Sequence, residues 1–344
     1  MYEFGVYETM RKLLAFLMVM SLSVVAFGVA AYGDDDGEER GTIADLVVAT
    51  AEEGEFTILL AAVLAADEAV LEALADPDGE FTVFAPTDAA FADLIEEMGE
   101  EEFNEALEDP EFLAEILFYH VVPGVAKSED VLALLEASPE GFSVQTAQGQ
   151  YVDVTADEDG VYVDDAALVL DMLDIMADNG VIHVIDTVIF PEFRTIAEIV
   201  VDAASDEDEP QFTLLLTAVL AADEAVLEAL SDEEAALTVF APVDAAFEAL
   251  GDTLTAVLED TELLTTILLY HALDGVVYSY DVVELLEAND GMFMVEMLDG
   301  SEAVVSVTED GIFINEAQIV ITDIEAYNGV IHVIDAVILP PMGE

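Results

Sequence analysis

The stretch from Phe56 to Leu74 is written a second time, almost unchanged, from Phe212 to Leu230. No other feature limits the possible folds so strongly, because whatever one copy forms the other must form as well. Four further blocks recur in the same order. Thr42-Ile-Ala-Asp-Leu-Val47 returns as Thr195-Ile-Ala-Glu-Ile-Val200, and Phe81-Thr-Val-Phe-Ala-Pro-Thr-Asp-Ala-Ala-Phe91 as Leu237-Thr-Val-Phe-Ala-Pro-Val-Asp-Ala-Ala-Phe247. Tyr119-His120 returns as Tyr270-His271, and Asn179-Gly-Val-Ile-His-Val-Ile-Asp186 as Asn328-Gly-Val-Ile-His-Val-Ile-Asp335. The offset is roughly 150 residues, the size of a domain rather than of a solenoid repeat. The chain therefore reads as two tandem copies of one domain, 41–191 and 192–341. Each is long enough to bury a core without disulfides, and the sequence has no cysteine.

The block 81–91 predicts a strand-to-helix corner. Thr82, Val83 and Phe84 suit a buried strand. Pro86 cannot donate to a ladder and holds Ala85 extended, so the strand ends there. Thr87 or Asp88 can then cap a helix opened by Ala89, Ala90 and Phe91. In the second copy Val243 replaces Thr87, which leaves Asp244 as the expected cap.

Ahead of each corner, Phe56, Leu59, Leu60, Val63 and Leu64 follow helical spacing, and Asp67-Glu68 is placed to cap a second short helix. Residues 111–119 form another apolar-periodic helix. Ser128 is the expected N-cap of a helix through Val131–Leu135, with Glu129 and Asp130 in its first turn. From Phe142 onward short strands alternate with turns at Gln148-Gly149 and Asp157–Gly160, matched by Asp299-Gly300 and Glu309–Gly311 in the second copy. Val181–Phe190 is apolar on both faces, as a central strand should be. Helices first and strands later, without βαβ alternation, predict an α+β fold.

Charge sets the environment. The chain carries 77 acidic residues against 5 basic ones, for a net charge of −72. Arg11 and Lys12 lie near the N-terminus, leaving Arg40, Lys127 and Arg194 for everything after residue 31. A lattice of surface ion pairs is impossible at that ratio, and self-repulsion opposes compaction at low ionic strength. Near 1 M salt the Debye length falls to about 3 Å and the objection largely disappears. With 55% hydrophobic residues the chain is not a disordered polyanion, so it reads as a folded protein suited to concentrated salt. Like charge disfavours nucleic acid and anionic membrane surfaces as partners.

Arg11-Lys12, the apolar run Leu13–Phe27 and the small residues Gly28-Val29-Ala30-Ala31 predict a secretory signal over 1–31, cleaved near Ala30-Ala31, with Met10 as an alternative start. The competing reading is an uncleaved anchor, since Leu13–Tyr32 approaches spanning length. Residues 32–40 form an acidic linker. Absence of cysteine excludes a lipid-modified cysteine anchor, and Leu339–Glu344 carries no expected sorting tail. The short junction Phe190–Arg194 predicts a close pair of domains rather than a flexible string.

Taken together, Thr82–Phe91, Tyr119-His120, Gly180–Asp186 and their second-copy counterparts resemble the fasciclin domain, in tandem. The resemblance covers nearly all of the chain after residue 41. It implies a wedge-like β-sandwich with a helical layer in each copy, and an extracellular or surface-attached adhesion module without catalysis. In animal members a region around the Tyr-His pair is linked to cell-receptor binding.

The family-motif residues are the candidate site: Thr87, Asp88, Tyr119, His120, His183 and Asp186, with Asp244, Tyr270, His271, His332 and Asp335. No histidine has a second His or Cys at ligand spacing, so structural histidines are expected rather than a metal site. Tyr119-His120 sits among Ile116, Leu117, Phe118, Val121 and Val122, and therefore reads as buried rather than as a recognition surface. There is no Gly-x-Ser-x-Gly, P-loop or dinucleotide fingerprint, and no catalytic, cofactor or metal residue is assigned. The clusters Asp34–Asp36, Asp157–Asp159 and Asp206–Glu209 lack the spacing of a calcium loop. Weak Ca²⁺ association between molecules is the one cation role left open. The expected function is adhesion or matrix organisation at high salt, with cell-surface or matrix polysaccharide or protein as partner and weak self-association open. The alternative is a secreted binding protein for a small ligand or polysaccharide. A hydrolase on the same scaffold would need a paired-carboxylate cleft, which so many acids make illegible in the sequence.

Overall fold

A computed structural model describes residues 40–206 and 210–341. The expected signal over 1–31, the linker up to residue 39, the cluster Asp34–Asp36 and most of the cluster Asp206–Glu209 lie outside the described residues. Two compact units divide between Pro191 and Glu192.

Unit 1 opens with three helices, α1 (Ile43–Glu53), α2 (Thr57–Ala65) and α3 (Glu68–Ala75). Thr42 begins α1 with a reciprocal cap: its hydroxyl accepts from Asp45 N, and the Asp45 carboxylate accepts from Thr42 N. Strand β1 (Phe81–Pro86) follows and ends at the proline, as expected. Helices α4 (Asp88–Met98), α5 (Glu100–Ala106) and α6 (Pro110–Tyr119) complete the helical layer, and β2 (Val121–Pro123) and α7 (Ser128–Ala137) lead into the strands. These are β3 (Phe142–Gln145), β4 (Tyr151–Ala156), β5 (Val161–Val163), β6 (Ala166–Ala167), β7 (Ile175–Ala177) and β8 (Gly180–Ile185). One sheet has the order β2-β1-β8-β7 and the other β3-β4-β5-β6. Phe84 and Ile185 of the first sheet share a buried cluster with Val152, Val154 and Val163 of the second, which makes the sandwich.

At the centre β1 and β8 run parallel, Phe84 beside His183, and every residue of β8 is buried. The sequence expectation of a central strand holds, though the strand stops at Ile185. Gly180 is required there. A Cβ on it would meet the Phe81 carbonyl oxygen at 2.1 Å, closer than any side chain tolerates.

Unit 2 repeats the order with α8 (Ile196–Ser205), α9 (Thr213–Ala221), α10 (Glu224–Ser231), β9 (Leu237–Pro242), α11 (Asp244–Glu248), α12 (Asp252–Glu259), α13 (Thr261–Leu269), β10 (Ala272–Asp274) and α14 (Ser279–Ala288). Its strands are β11 (Met292–Glu296), β12 (Glu302–Thr308), β13 (Gly311–Ile314), β14 (Ala317–Ala326) and β15 (Gly329–Ile334). Here the two layers are joined. Seven strands form one sheet, β10-β9-β15-β14-β13-β12-β11, because the ten-residue β14 runs unbroken where unit 1 has β6, a 3₁₀ turn at Leu170–Met172 and β7. Register shifts on either side of Ile321 bend β14, as bulges do. Phe240 and Ile334 can then share a core with Ala303 and Ile314 of the same sheet.

Candidate functional site

The corner after β1 takes the first of its two expected caps. Thr87 is the N-cap of α4, its hydroxyl accepting from Ala90 N at 3.1 Å. Asp88 faces another helix. Its carboxylate accepts from Thr57 N (3.1 Å), Thr57 Oγ1 (2.7 Å) and Ile58 N (2.9 Å), and so caps α2 from thirty residues away. The expectation for Asp244 is corrected on the same ground. Val243 occupies the cap position of α11 without a side-chain bond, while Asp244 accepts from Thr213 Oγ1 and Leu214 N at the start of α9. This remote cap explains an unusual backbone. Phe56 and Phe212, which precede α2 and α9, have φ of 55° and 58°, a left-handed conformation that bulky residues avoid. Neither can cap its own helix, and the distant aspartate supplies the acceptor instead. The cap of α7 also moves: Lys127 holds that position with Asp130 accepting from its N–H, and Ser128 is the first helical residue, its N–H donating to Asp174 Oδ1 at 2.8 Å.

All four histidines are buried, with both ring nitrogens engaged. Nδ1 of His120 bonds the Ile116 carbonyl at 2.8 Å and Nε2 accepts from Ile189 N at 3.3 Å. His271 repeats this with Ile267 O and Ile338 N. The tautomer is fixed, since Nδ1 must carry the proton and Nε2 must be bare. Burial pushes the pKa of both down to about 4, against a smaller upward pull from the carbonyl each bonds, so both are neutral near pH 7. His183 and His332 take the opposite tautomer. Nε2 donates to Ala126 O or Val277 O at 2.8 Å, and Nδ1 accepts from Asp174 N or Asp323 N. Burial lowers the pKa of His332 as well. None of these rings offers a lone pair to a metal or a proton to a substrate.

Tyr119 and Tyr270 are buried beside these histidines and bond across to the outer strands. The Tyr119 hydroxyl reaches Tyr151 O and Asp164 Oδ2, and that of Tyr270 reaches Glu302 O and Asn315 Nδ2. Asp186 and Asp335 close the far ends of the central strands, accepting from Ala167 N and Gln318 N respectively, each at 2.8 Å. In the acidic cluster at 157–159, the Asp157 carboxylate accepts from Asp159 N and Gly160 N and closes a hairpin turn. Among the described residues no group of three or more His, Cys, Asp or Glu side chains is placed to hold a metal ion.

Two pairs of residues central to the interior were missing from the sequence candidates. Asn179, only 1% exposed, accepts from Ile43 N at 2.8 Å and donates to Leu74 O and Asp76 O. One side chain thus ties the start of α1, the end of α3 and the start of β8. Asn328 makes the same three bonds, to Ile196 N, Leu230 O and Asp232 O. Thr82 and Thr238 bridge β1 and β9 to the following loops, donating to Gly124 O and Gly275 O and accepting from Ala126 N and Val277 N. The recurrence of Asn-Gly and of Phe/Leu-Thr-Val in the sequence was the available signal.

A sheet with a parallel central pair, overlaid by helices and pinned from inside by Asn, Thr and His side chains, defines a structural module, present here twice. The chain belongs to the fasciclin domain family, whose model matches residues 54–191 and 210–340; such domains are found in adhesion and extracellular-matrix proteins. Two Synechocystis proteins are similar in sequence. Protein sll1483 is 40% identical over 38% of this chain and 68% of its own length, and sll1735 is 39% identical over 40% of this chain and 93% of its own. A FAS1 domain pair from the insect cell adhesion molecule Fasciclin I aligns with 85% of this chain and 98% of that one, at 18% identity and a TM-score of 0.36. Among the described residues no helix is long and apolar enough to cross a membrane.

Proposed function

We propose that this chain is an exported, non-catalytic adhesion or matrix protein that works in concentrated salt. The observation that carries the reading is the duplication of a fasciclin domain whose motif tyrosines and histidines are buried and bonded within the domain in both copies. Residues used in this way hold a shape, and contact with a partner falls to the outer surface. That surface is strongly acidic, so a partner that brings cations, or neutral sugars that tolerate them, suits it better than nucleic acid. Two linked modules turn weak contacts into useful avidity when both engage. The test is binding of the chain to cells of its source and to their extracted exopolysaccharide in molar salt, with and without Ca²⁺. Saturable binding is expected, and a Ca²⁺ requirement would assign the acidic surface a bridging role. Absence of binding to either material in every condition would overturn the reading.

A further inference from the structure

The helical layers of the two units differ in how tightly one space is filled. In unit 1 a cavity of about 60 Å³ lies between α4, α5 and α6 and the segment after β8, walled among others by Leu94, Phe103, Leu113, Ile116 and Phe190. The corresponding place in unit 2, walled by Leu250, Leu264 and Ile267, holds about 10 Å³. The sequence accounts for this. Between the matching leucines, the stretch 94–113 is five residues longer than 250–264. The added length extends α4 to Met98, where the matching α11 stops at Glu248, while the next helices, α5 and α12, are close in length.

We propose that this cavity is a binding site for a compact neutral hydrophobe smaller than a benzene ring, such as a xenon atom or a group of about two to three carbons, since about 150 Å³ is the space that holds benzene. Its volume is about four times the space that one water needs, and no polar surface lines it. Water therefore gains little by entering, since it would find none of the partners it requires. His120 is the one polar residue in the wall, and both its ring nitrogens are already bonded to the backbone. Phe190, 39% exposed, stands at the rim and offers a way in. Anions are excluded twice. A carboxylate inside would meet no donor, which costs several kcal/mol, and the enclosing segment 93–111 carries acidic residues and no basic one. In molar salt the second effect is screened, so desolvation does most of the discriminating.

The site is independent of the adhesion reading, and its test uses different measurements. Methyl NMR of the chain in molar NaCl, under increasing xenon pressure, should give saturable shifts at Leu94, Leu113 and Ile116. The matching methyls of Leu250, Leu264 and Ile267 should stay unmoved. Acetate, a small anion, should bind at least tenfold more weakly. Ala106→Phe, which fills the cavity from α5, should abolish the shifts while the remaining spectrum is kept. Xenon shifts of equal size in both units, no saturation up to the highest pressure, or acetate binding as tightly as xenon would each overturn the proposal. The two-unit methyl map decides the matter even if the substituted chain fails to fold.

Discussion

The Tyr119 hydroxyl lies 2.9 Å from Asp164 Oδ2 and 3.0 Å from the Tyr151 carbonyl oxygen, so one proton faces two acceptors. In unit 2 the same hydroxyl, on Tyr270, faces the Glu302 carbonyl and the amide nitrogen of Asn315, and each contact there has its own proton. Asp164 and Asn315 otherwise match: both sit at positive φ, and each accepts a backbone N–H through Oδ1. Unit 1 therefore has a carboxyl where unit 2 shows that a neutral donor fits. Burial raises the Asp164 pKa above its ordinary value of 3.8, consistent with the count of protons.

Asp164→Asn should stabilise unit 1 by roughly 1 kcal/mol at pH 7, the usual worth of one recovered hydrogen bond. The folded state holds the Asp164 proton more tightly than the unfolded state does. This group therefore favours folding most below pH 3.8, and that contribution is lost as pH rises through the raised pKa. The gain from the asparagine should shrink in acid accordingly. Urea unfolding in molar NaCl, followed through the methyl signals of each unit, checks this; a less stable unit 1 in the variant at pH 7 would refute the proton count.

His120 and His271 act with the opposite sign. Their folded pKa of about 4 lies below the ordinary 6.5, so between those values the unfolded chain binds more protons. Stability from this source is whole above pH 6.5 and is lost as pH falls towards 4, by about 3 kcal/mol for each histidine. The ring Hε1 signals of both should stay still down to about pH 5. Ordinary titration near 6.5 would mean that the rings are solvated, which the bonds to Ile189 N and Ile338 N forbid.

Asn179→Ala removes three bonds at once and leaves Ile43 N, Leu74 O and Asp76 O without that partner in the interior. The expected loss is roughly 2–4 kcal/mol, confined to unit 1, and Asn328→Ala should repeat it in unit 2. Asn179→Asp is the harsher variant: it keeps the acceptor for Ile43 N but sets a carboxylate oxygen against the Leu74 and Asp76 carbonyls and buries its charge. Were both variants to unfold within 0.5 kcal/mol of the parent, the clamp would be decoration.

Most of the architecture was legible in the sequence because it is carried by local patterns. The Pro86 stop, the fully buried central strand and the burial of Tyr119-His120 each follow from a few adjacent residues. What escaped is long-range. Asp88 reads as an alternative to Thr87 in capping the helix it begins, and nothing near it reveals that its carboxylate serves Thr57 and Ile58. Asn179 before Gly180 reads as a turn, whereas its amide holds two carbonyls about a hundred residues back. The break in unit 1 between β6 and β7, against the continuous β14 of unit 2, does have a mark: Ala167 and Asp186 are 19 residues apart, and the matching Gln318 and Asp335 are 17 apart. That difference shows only when the two copies are aligned.

Salt should decide whether the fold exists at all. Between residues 40 and 341 the basic side chains are Arg40, Lys127 and Arg194, and Arg194 is engaged by Glu192 and Asp202. Acidic neighbours elsewhere on the surface repel one another with few cations between them. At 0.01 M salt the Debye length is about 30 Å, long enough for repulsion across a whole domain; at 1 M it is about 3 Å. The urea midpoint should therefore climb steeply with NaCl, and tertiary signals should fade in dilute buffer. Two causes could produce that slope, and the anion separates them. Screening depends on ionic strength, so NaCl and Na₂SO₄ at matched ionic strength should stabilise equally. Strengthened burial of apolar surface favours sulfate over chloride. Equal curves would assign the salt requirement to the charge of −72, a clear lead for sulfate would assign it to the core, and an unchanged midpoint from dilute buffer to molar salt would show that the acidic surface is tolerated without help.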